Sequence, residues 1–202
     1  MNPAPLFDRV YAGVRARLLS GEWPPGHRID LASLADALGA SVTPVRDALY
    51  RLNGERLLAV GVHDGFAVPA ITEPELHDLY AWNRDLLVIA QMNFGSAKYT
   101  IDDPREGNMV ERAERLFQAI GASSHNPEHG IAIEAVSDRL RTARIAEVRL
   151  GIADERELRV LIKIVAGGNA PALRNQIELY HLRRQTHAGR IVHAMYRPEA
   201  RG

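Results

Sequence analysis

The stretch from Leu31 to Pro69 constrains the fold of this chain more than any other. Its apolar residues recur at helical spacing twice, first as Leu31, Leu34, Ala35 and Leu38 and then as Val45, Ala48, Leu49 and Leu52, with only Gly39-Ala40-Ser41-Val42 between the two sets. Two amphipathic helices joined so tightly must fold back on each other to bury both stripes, which is a helix-turn-helix. Gly39 suits the left-handed residue that closes a first helix, and Thr43 is expected as N-cap of the second with Pro44 at its first helical position. After Leu58 the period changes. Short apolar runs, Leu58 to Val60 and Phe66 to Val68, flank Gly61-Val62-His63-Asp64-Gly65, the pattern of a two-stranded wing.

On the second helix Arg46, Tyr50 and Asn53 fall at i, i+4 and i+7, away from the apolar stripe, so the core is expected to turn this row outward. In a winged helix-turn-helix such a face enters the major groove, where an arginine near the helix start reaches base edges or phosphate. The plainer alternative is a small helical domain with a solvated polar face. Cap, proline, closing glycine and wing together favour the DNA-binding fold.

Residues 7 to 69 resemble the N-terminal domain of GntR-type bacterial transcription regulators. The resemblance rests on LLSGEWPPGHRI (Leu18 to Ile29), LADAL-G (Leu34 to Gly39), S-x-TPVRDAL-RL (Ser41 to Leu52) and the wing glycine Gly65. The candidate DNA-contacting residues are therefore Arg28, Ser41, Thr43, Arg46, Tyr50, His63 and Gly65. Arg28 is placed there by the resemblance alone and reads equally well as a solvent-facing arginine. Two departures matter. The family usually has arginine where this chain has Val42, and a basic wing where it has His63-Asp64; both remove positive charge, so weak DNA affinity or an unusual operator preference is expected.

Charge points the same way. The chain carries 25 Lys and Arg against 25 Asp and Glu. Residues 1 to 70 hold seven arginines and seven acids. Non-specific binding draws on counterion release by several cations per site, which argues against strong binding by a monomer; a dimer setting two groups of arginines on two half-sites could still bind. The absence of cysteine excludes disulfides and thiolate metal sites and allows a reducing compartment. No apolar run approaches 18 residues and MNPAPLFDRV is not a charged-then-apolar leader, so a cytoplasmic location is expected.

Around this segment, Phe7, Val10, Val14 and Leu18 make one stripe, expected as a helix over 5–20, followed by a rigid turn at Trp23-Pro24-Pro25-Gly26. His27 has no evident partner. Thr72 with Glu75 reads as a capping box that opens a helix carrying Leu76, Leu79, Tyr80, Asn83, Leu87, Ala90 and Phe94. Asn83 interrupts that apolar face, which calls for a buried hydrogen-bond partner or a pocket. Residues 99–108 read as a loop, and further helices are expected near 109–122, 127–150, 154–166 and 171–195. His125 and His129 read as loop or first-turn residues because Asn126-Pro127 breaks any helix that could align them. The expected fold is mainly α, with a winged helix-turn-helix domain at 1–70 and an all-helical domain at 71–202.

An all-helical domain in this position resembles the FadR-type C-terminal ligand-binding domain, called FCD, through Thr72 to Ala90, Leu116-Phe117-Gln118 followed by Asn126-Pro127, and Glu157 to Asn169 followed by Tyr180-His181-Leu182. In many such domains an Asp and three His hold a divalent metal that binds a carboxylate effector. Here Glu114 stands at the Asp position, with Gln118, Leu158 and His181 at the His positions. Leu158 cannot ligate and Gln118 is a poor ligand, so no metal and no other cofactor is expected. The pocket that the resemblance implies would be lined by Asn83, Glu114, Gln118, His181 and Arg184 and would hold a small organic effector, an organic acid among the candidates. No Gly-rich phosphate loop, nucleophile elbow or His-x-x-x-His helix points to an enzyme. The expected function is a homodimeric transcription regulator that binds an inverted repeat in double-stranded operator DNA. The alternative is a ligand-sensing, dimerising helical protein with a weakened DNA-binding domain, acting through protein contacts.

Overall fold

In the computed structural model, which describes residues 3–61, 65–92 and 106–197, three helices and three short strands precede six helices. The wing residue His63, Phe94 and most of the expected 99–108 loop lie outside the described residues. The chain divides into two units between Ile71 and Thr72.

The first unit contains α1 (Pro3–Leu19), β1 (Arg28–Ile29), α2 (Leu31–Leu38), α3 (Val42–Gly54), β2 (Ala59–Val60) and β3 (Phe66–Ala67). Val10, Val14 and Leu18 of α1 meet Leu34 and Ala35 of α2 and the stripe Val45, Ala48, Leu49 and Leu52 of α3 in one core, closed by Ile29, Leu57, Leu58 and Phe66. Each fully buried Leu or Val there contributes about 1.5–3 kcal/mol of transfer free energy. Gly13 lets α1 and α2 approach closely, since a Cβ at that position would sit 2.9 Å from Leu38 Cδ2. Asp30 caps α2 by accepting from Ser33 N, and this bond holds its carboxyl below the usual range. Gly39 then closes the helix in the left-handed region, φ 58° and ψ 43°.

Three local expectations are corrected. The N-cap of α3 is Ser41, acting through its backbone without a side-chain bond, so Thr43 and Pro44 sit inside the first turn rather than at cap and first position. The sheet has three strands in the order β1-β3-β2, all antiparallel, because Arg28 and Ile29 pair with Ala67 and Phe66. His27 stacks on Trp23, with ring centroids 5.9 Å apart and planes within 5°.

Arg56, between α3 and β2, is left-handed at φ 61°, while the N–H groups of Leu57 and Leu58 return to Leu52 O. A side chain there crowds the backbone, and glycine does not. Arg56→Gly is expected to stabilise the unit by about 0.5–1 kcal/mol, a rise of roughly 2–6 °C in a thermal melt. A lowered melting temperature would contradict it.

The second unit is built from α4 (Glu73–Met92), α5 (Met109–Ala122), α6 (Pro127–Arg149), α7 (Glu155–Gly167), α8 (Ala170–Thr186) and α9 (Ala188–Met195). α4 packs on α6 and α8, α5 on α6, and α7 on α8. The capping box forms, with Thr72 N donating to Glu75 Oε2 at 2.7 Å. Asn108, Asn126, Asp154 and Asn169 cap the later helices. The expected last helix is two. Thr186 turns its hydroxyl to Leu182 O and His187 leaves the helix, after which Gly189 runs so close to Glu73 that a Cβ would meet Oε2 at 2.6 Å. Among the described residues no helix is long and apolar enough to cross a membrane.

Candidate nucleic-acid interface and the polar interior of the helical unit

With Val45, Ala48, Leu49 and Leu52 turned into the core, α3 leaves Thr43, Arg46, Asp47 and Tyr50 exposed. At about 100° per residue these four share one face. Arg46 has no hydrogen-bond or ion-pair partner among the described residues. Tyr50 places its ring edge-on to Phe66, centroids 4.9 Å apart, which ties this face to β3. Asn53 departs from the expected row. Its Nδ2 donates to Leu58 O at 2.9 Å, so it fastens the helix end to the residue just before β2 instead of facing outward. Arg51 is likewise engaged inside the unit, lying 4.1 Å over the Tyr11 ring and bonded to Glu55 at 3.3 Å. Arg28 is exposed on β1, and Gly61 N donates to Gly65 O at 2.7 Å to close the wing hairpin at its base. An outward arginine and tyrosine on a helix, the exposed Ser41 and Thr43 at its start and a hairpin in the same unit are the parts of a winged helix-turn-helix that addresses a duplex groove.

Residues 6–68 match the profile of the family described as bacterial regulatory proteins, gntR family. The N-terminal unit is a GntR-family domain. Over 119 residues the chain is 34% identical to the HTH-type transcriptional regulator McbR of Escherichia coli, a stretch covering 59% of this chain and 52% of McbR. It is 23% identical over 161 residues to the HTH-type transcriptional regulator YdhC of Bacillus subtilis, covering 71% of this chain and 72% of YdhC. In three dimensions it is similar to E. coli McbR/YncC, with TM-score 0.66 at 19% identity over 92% of this chain and 97% of that one. A Rhodococcus sp. RHA1 protein described as a GntR transcriptional regulator gives TM-score 0.70 at 17% identity, over 90% and 96%. At these identities the structural likeness establishes the fold alone, a winged helix-turn-helix with a helical domain after it.

Beyond the GntR domain the helical unit buries a set of charges. Glu147 on α6, 1% exposed, accepts from the Tyr80 hydroxyl on α4 at 2.6 Å and from Arg184 Nε on α8 at 2.8 Å. Arg184 also donates to Tyr180 O at 2.8 Å, lies 3.2 Å over the Tyr180 ring and sits 2.9 Å from Glu157 Oε2 on α7. That last approach is an ion pair without an aligned hydrogen bond, since Glu157 Oε2 has no hydrogen-bond partner. Burial raises the pKa of Tyr80 and Tyr180 despite the guanidinium, and raises that of Glu157 against the pull of Arg184. Arg144, 3% exposed, reaches Ser137 O at 3.2 Å and Ser137 Oγ at 3.4 Å and stands 3.6 Å from Glu114.

The expected pocket set does not converge. Asn83 and His181 are both buried and bonded to each other at 2.9 Å, while Nδ1–H of His181 donates to Ile177 O at 2.7 Å. That bond fixes the tautomer, so Nε2 is the acceptor for Asn83 Nδ2. Burial depresses the His181 pKa to about 3. Glu114 is paired with Arg141 and Arg144, its carboxyl pushed up by burial and pulled back by both arginines. Gln118 is exposed, in a separate open groove with Ser124, His125 and Glu134. Arg184 alone of the five lines the cavity among α5, α6, α7 and α8.

The divalent metal that the FCD resemblance implies does not fit these residues. Both His181 nitrogens are committed, Glu114 is neutralised by arginines, Gln118 faces elsewhere and Leu158 has no donor atom. Among the described residues no group of three or more His, Cys, Asp or Glu is placed to hold a metal. The buried network leaves one trace in the sequence. Arg144 and Glu147 lie four and seven residues after Leu140, on the apolar stripe of their own helix, as Asn83 does on its helix.

Proposed function

We propose that the chain is a transcription regulator of the FadR-type subgroup, in which residues 1–70 bind operator DNA and residues 71–202 form an FCD-like domain that dimerises and senses a small molecule. The observation that carries the DNA-binding part is the exposed α3 face, with Arg46, which has no partner among the described residues, one turn from Tyr50. The exposed start of α3 supplies Ser41 and Thr43 for phosphate, Arg28 adds a cation, and Gly65 with the wing residue His63 completes the contact set. Two recognition helices in a homodimer would read an inverted repeat in successive major grooves. Apolar side chains exposed on α4, Trp82 and Ile89, and on α8, Leu179 and Leu182, support dimerisation through the helical unit.

An effector would act by binding one arrangement of the dimer better than the other and so changing operator affinity by that difference. We place the effector in the cavity that Arg184 lines among α5, α6, α7 and α8.

Arg46→Ala is expected to weaken operator binding by about 1–3 kcal/mol, roughly 5- to 150-fold, in a mobility-shift titration. Unchanged affinity would remove Arg46 from the interface.

A further inference from the structure

The first turn of α3 exposes an apolar side chain that the fold does not use. Val45, Ala48, Leu49 and Leu52 of that helix are fully buried, whereas Val42, its first residue, is 41% exposed. Leu31, Leu38 and Ala40 nearby pack against the core cluster, but among the described residues Val42 belongs neither to that cluster nor to the layer packed on it. Helix formation does not ask for it either, since a β-branched side chain loses rotamer freedom in a helix and alanine is the better former.

Val42 stands four residues before Arg46, which stands four before Tyr50, so the three make one ridge along the helix. Each step of such a ridge advances about 6 Å along the axis and about 40° around it. Val42 and Tyr50, the large apolar side chains that α3 exposes, therefore flank the arginine. Tyr50 is tied back to Phe66, while Val42 has no such engagement with the core.

Of the groups that base pairs present in the major groove, the C5-methyl of thymine is the apolar one. A stiff, branched side chain one turn from an arginine suits that methyl, because packing there removes apolar surface from water and orders few rotamers. We propose that Val42 is a specificity-determining residue, its methyl groups packing in each half-site on the C5-methyl of a thymine within about two base pairs of the base that Arg46 contacts. The inference rests on reading α3 as the recognition helix and names one base of the operator. The contact carries no charge, so it adds discrimination without adding to the salt dependence of binding.

The test uses the full-length protein and an inverted-repeat duplex recovered with it from a randomised pool. Deoxyuridine in place of thymidine removes the methyl and keeps every hydrogen-bonding group. At one thymine per half-site this exchange is expected to weaken binding by about 3- to 5-fold, the worth of one buried methyl. Val42→Ala is expected to lose a similar factor on the thymine duplex, to be indifferent to the exchange at that position, and to keep the wild-type slope of log K against log salt. Alanine is a good helix former at an exposed site, so an unchanged melting temperature accompanies the loss. A recovered duplex on which no uridine exchange weakens binding overturns the proposal and leaves α3 as a DNA reader. So does a Val42→Ala variant as sensitive to the exchange as the wild type, which would assign the methyl to another side chain such as Thr43. Failure to recover any duplex removes both the contact and the DNA-reading helix.

Discussion

Glu147→Ala is expected to destabilise the helical unit by about 3–5 kcal/mol, because it leaves the Arg184 guanidinium buried with its main counter-charge gone. The Tyr80 hydroxyl loses its acceptor in the same step, and Arg184, 1% exposed, keeps only the partly exposed Glu157 as a counter-charge. Its pKa is already raised by Tyr180, Glu147 and Glu157 against the cost of burial, so it does not escape by deprotonating. In a domain of this size the loss corresponds to a fall of roughly 10–20 °C in melting temperature. The double variant Glu147→Leu/Arg184→Leu removes both charges and fills the space with apolar atoms, and is expected to be more stable than Glu147→Ala. A double variant as unstable as the single one would mean that the pair itself, not the orphaned arginine, holds the unit together.

The second large effect is acid sensitivity at His181. Its pKa is about 3 in the folded chain against an ordinary value of 6.5, with burial as the main cause. The unfolded chain therefore takes up a proton below pH 6.5 that the folded chain refuses until about pH 3. Stability from this residue is complete above 6.5 and is lost as pH falls, by up to about 1.4 kcal/mol per pH unit, or roughly 3 kcal/mol by pH 4. Glu114 and Glu157 work in the opposite sense, since their raised pKa values let the folded chain keep protons that the unfolded chain releases above the usual carboxylate range. They are present in both proteins when wild type is compared with His181→Gln, which cannot titrate and keeps an amide near Asn83. Denaturant midpoints across pH 7 to 4 are expected to fall more steeply for wild type, by the slope of about one proton. Parallel curves would mean that His181 accepts a proton in place.

Which parts of this were legible follows from how local each one is. The α2-turn-α3 pair could be read because period, Gly39 and the small-residue turn all lie within two dozen residues and agree. β1 could not. Two residues carry no period, and Arg28-Ile29 is a strand only because Phe66-Ala67 comes alongside from far along the chain. The cap of α3 is not legible, because Ser41 and Thr43 are both good N-caps and only backbone geometry separates them. Counting turns places Asn53 on the outward row, but it borders the buried side with Leu58 O within reach. In the helical unit the family resemblance drew attention to Glu114, Gln118 and His181, whose partners the sequence does not reveal. The charge centre formed instead around Glu147 and Arg184, which meet across 37 residues of chain.

The most direct measurement is the salt dependence of duplex binding by the full-length chain, followed by fluorescence anisotropy on random and inverted-repeat DNA. If Arg28 and Arg46 each displace counterions, log K falls linearly with log salt with a slope of about −2 per protomer and about −4 for a dimer on two half-sites, and Arg46→Ala makes the slope shallower by about 1 per protomer. Absence of binding at low salt, or binding that salt does not weaken, would contradict a DNA-reading α3 and leave the chain as a helical protein acting through protein contacts.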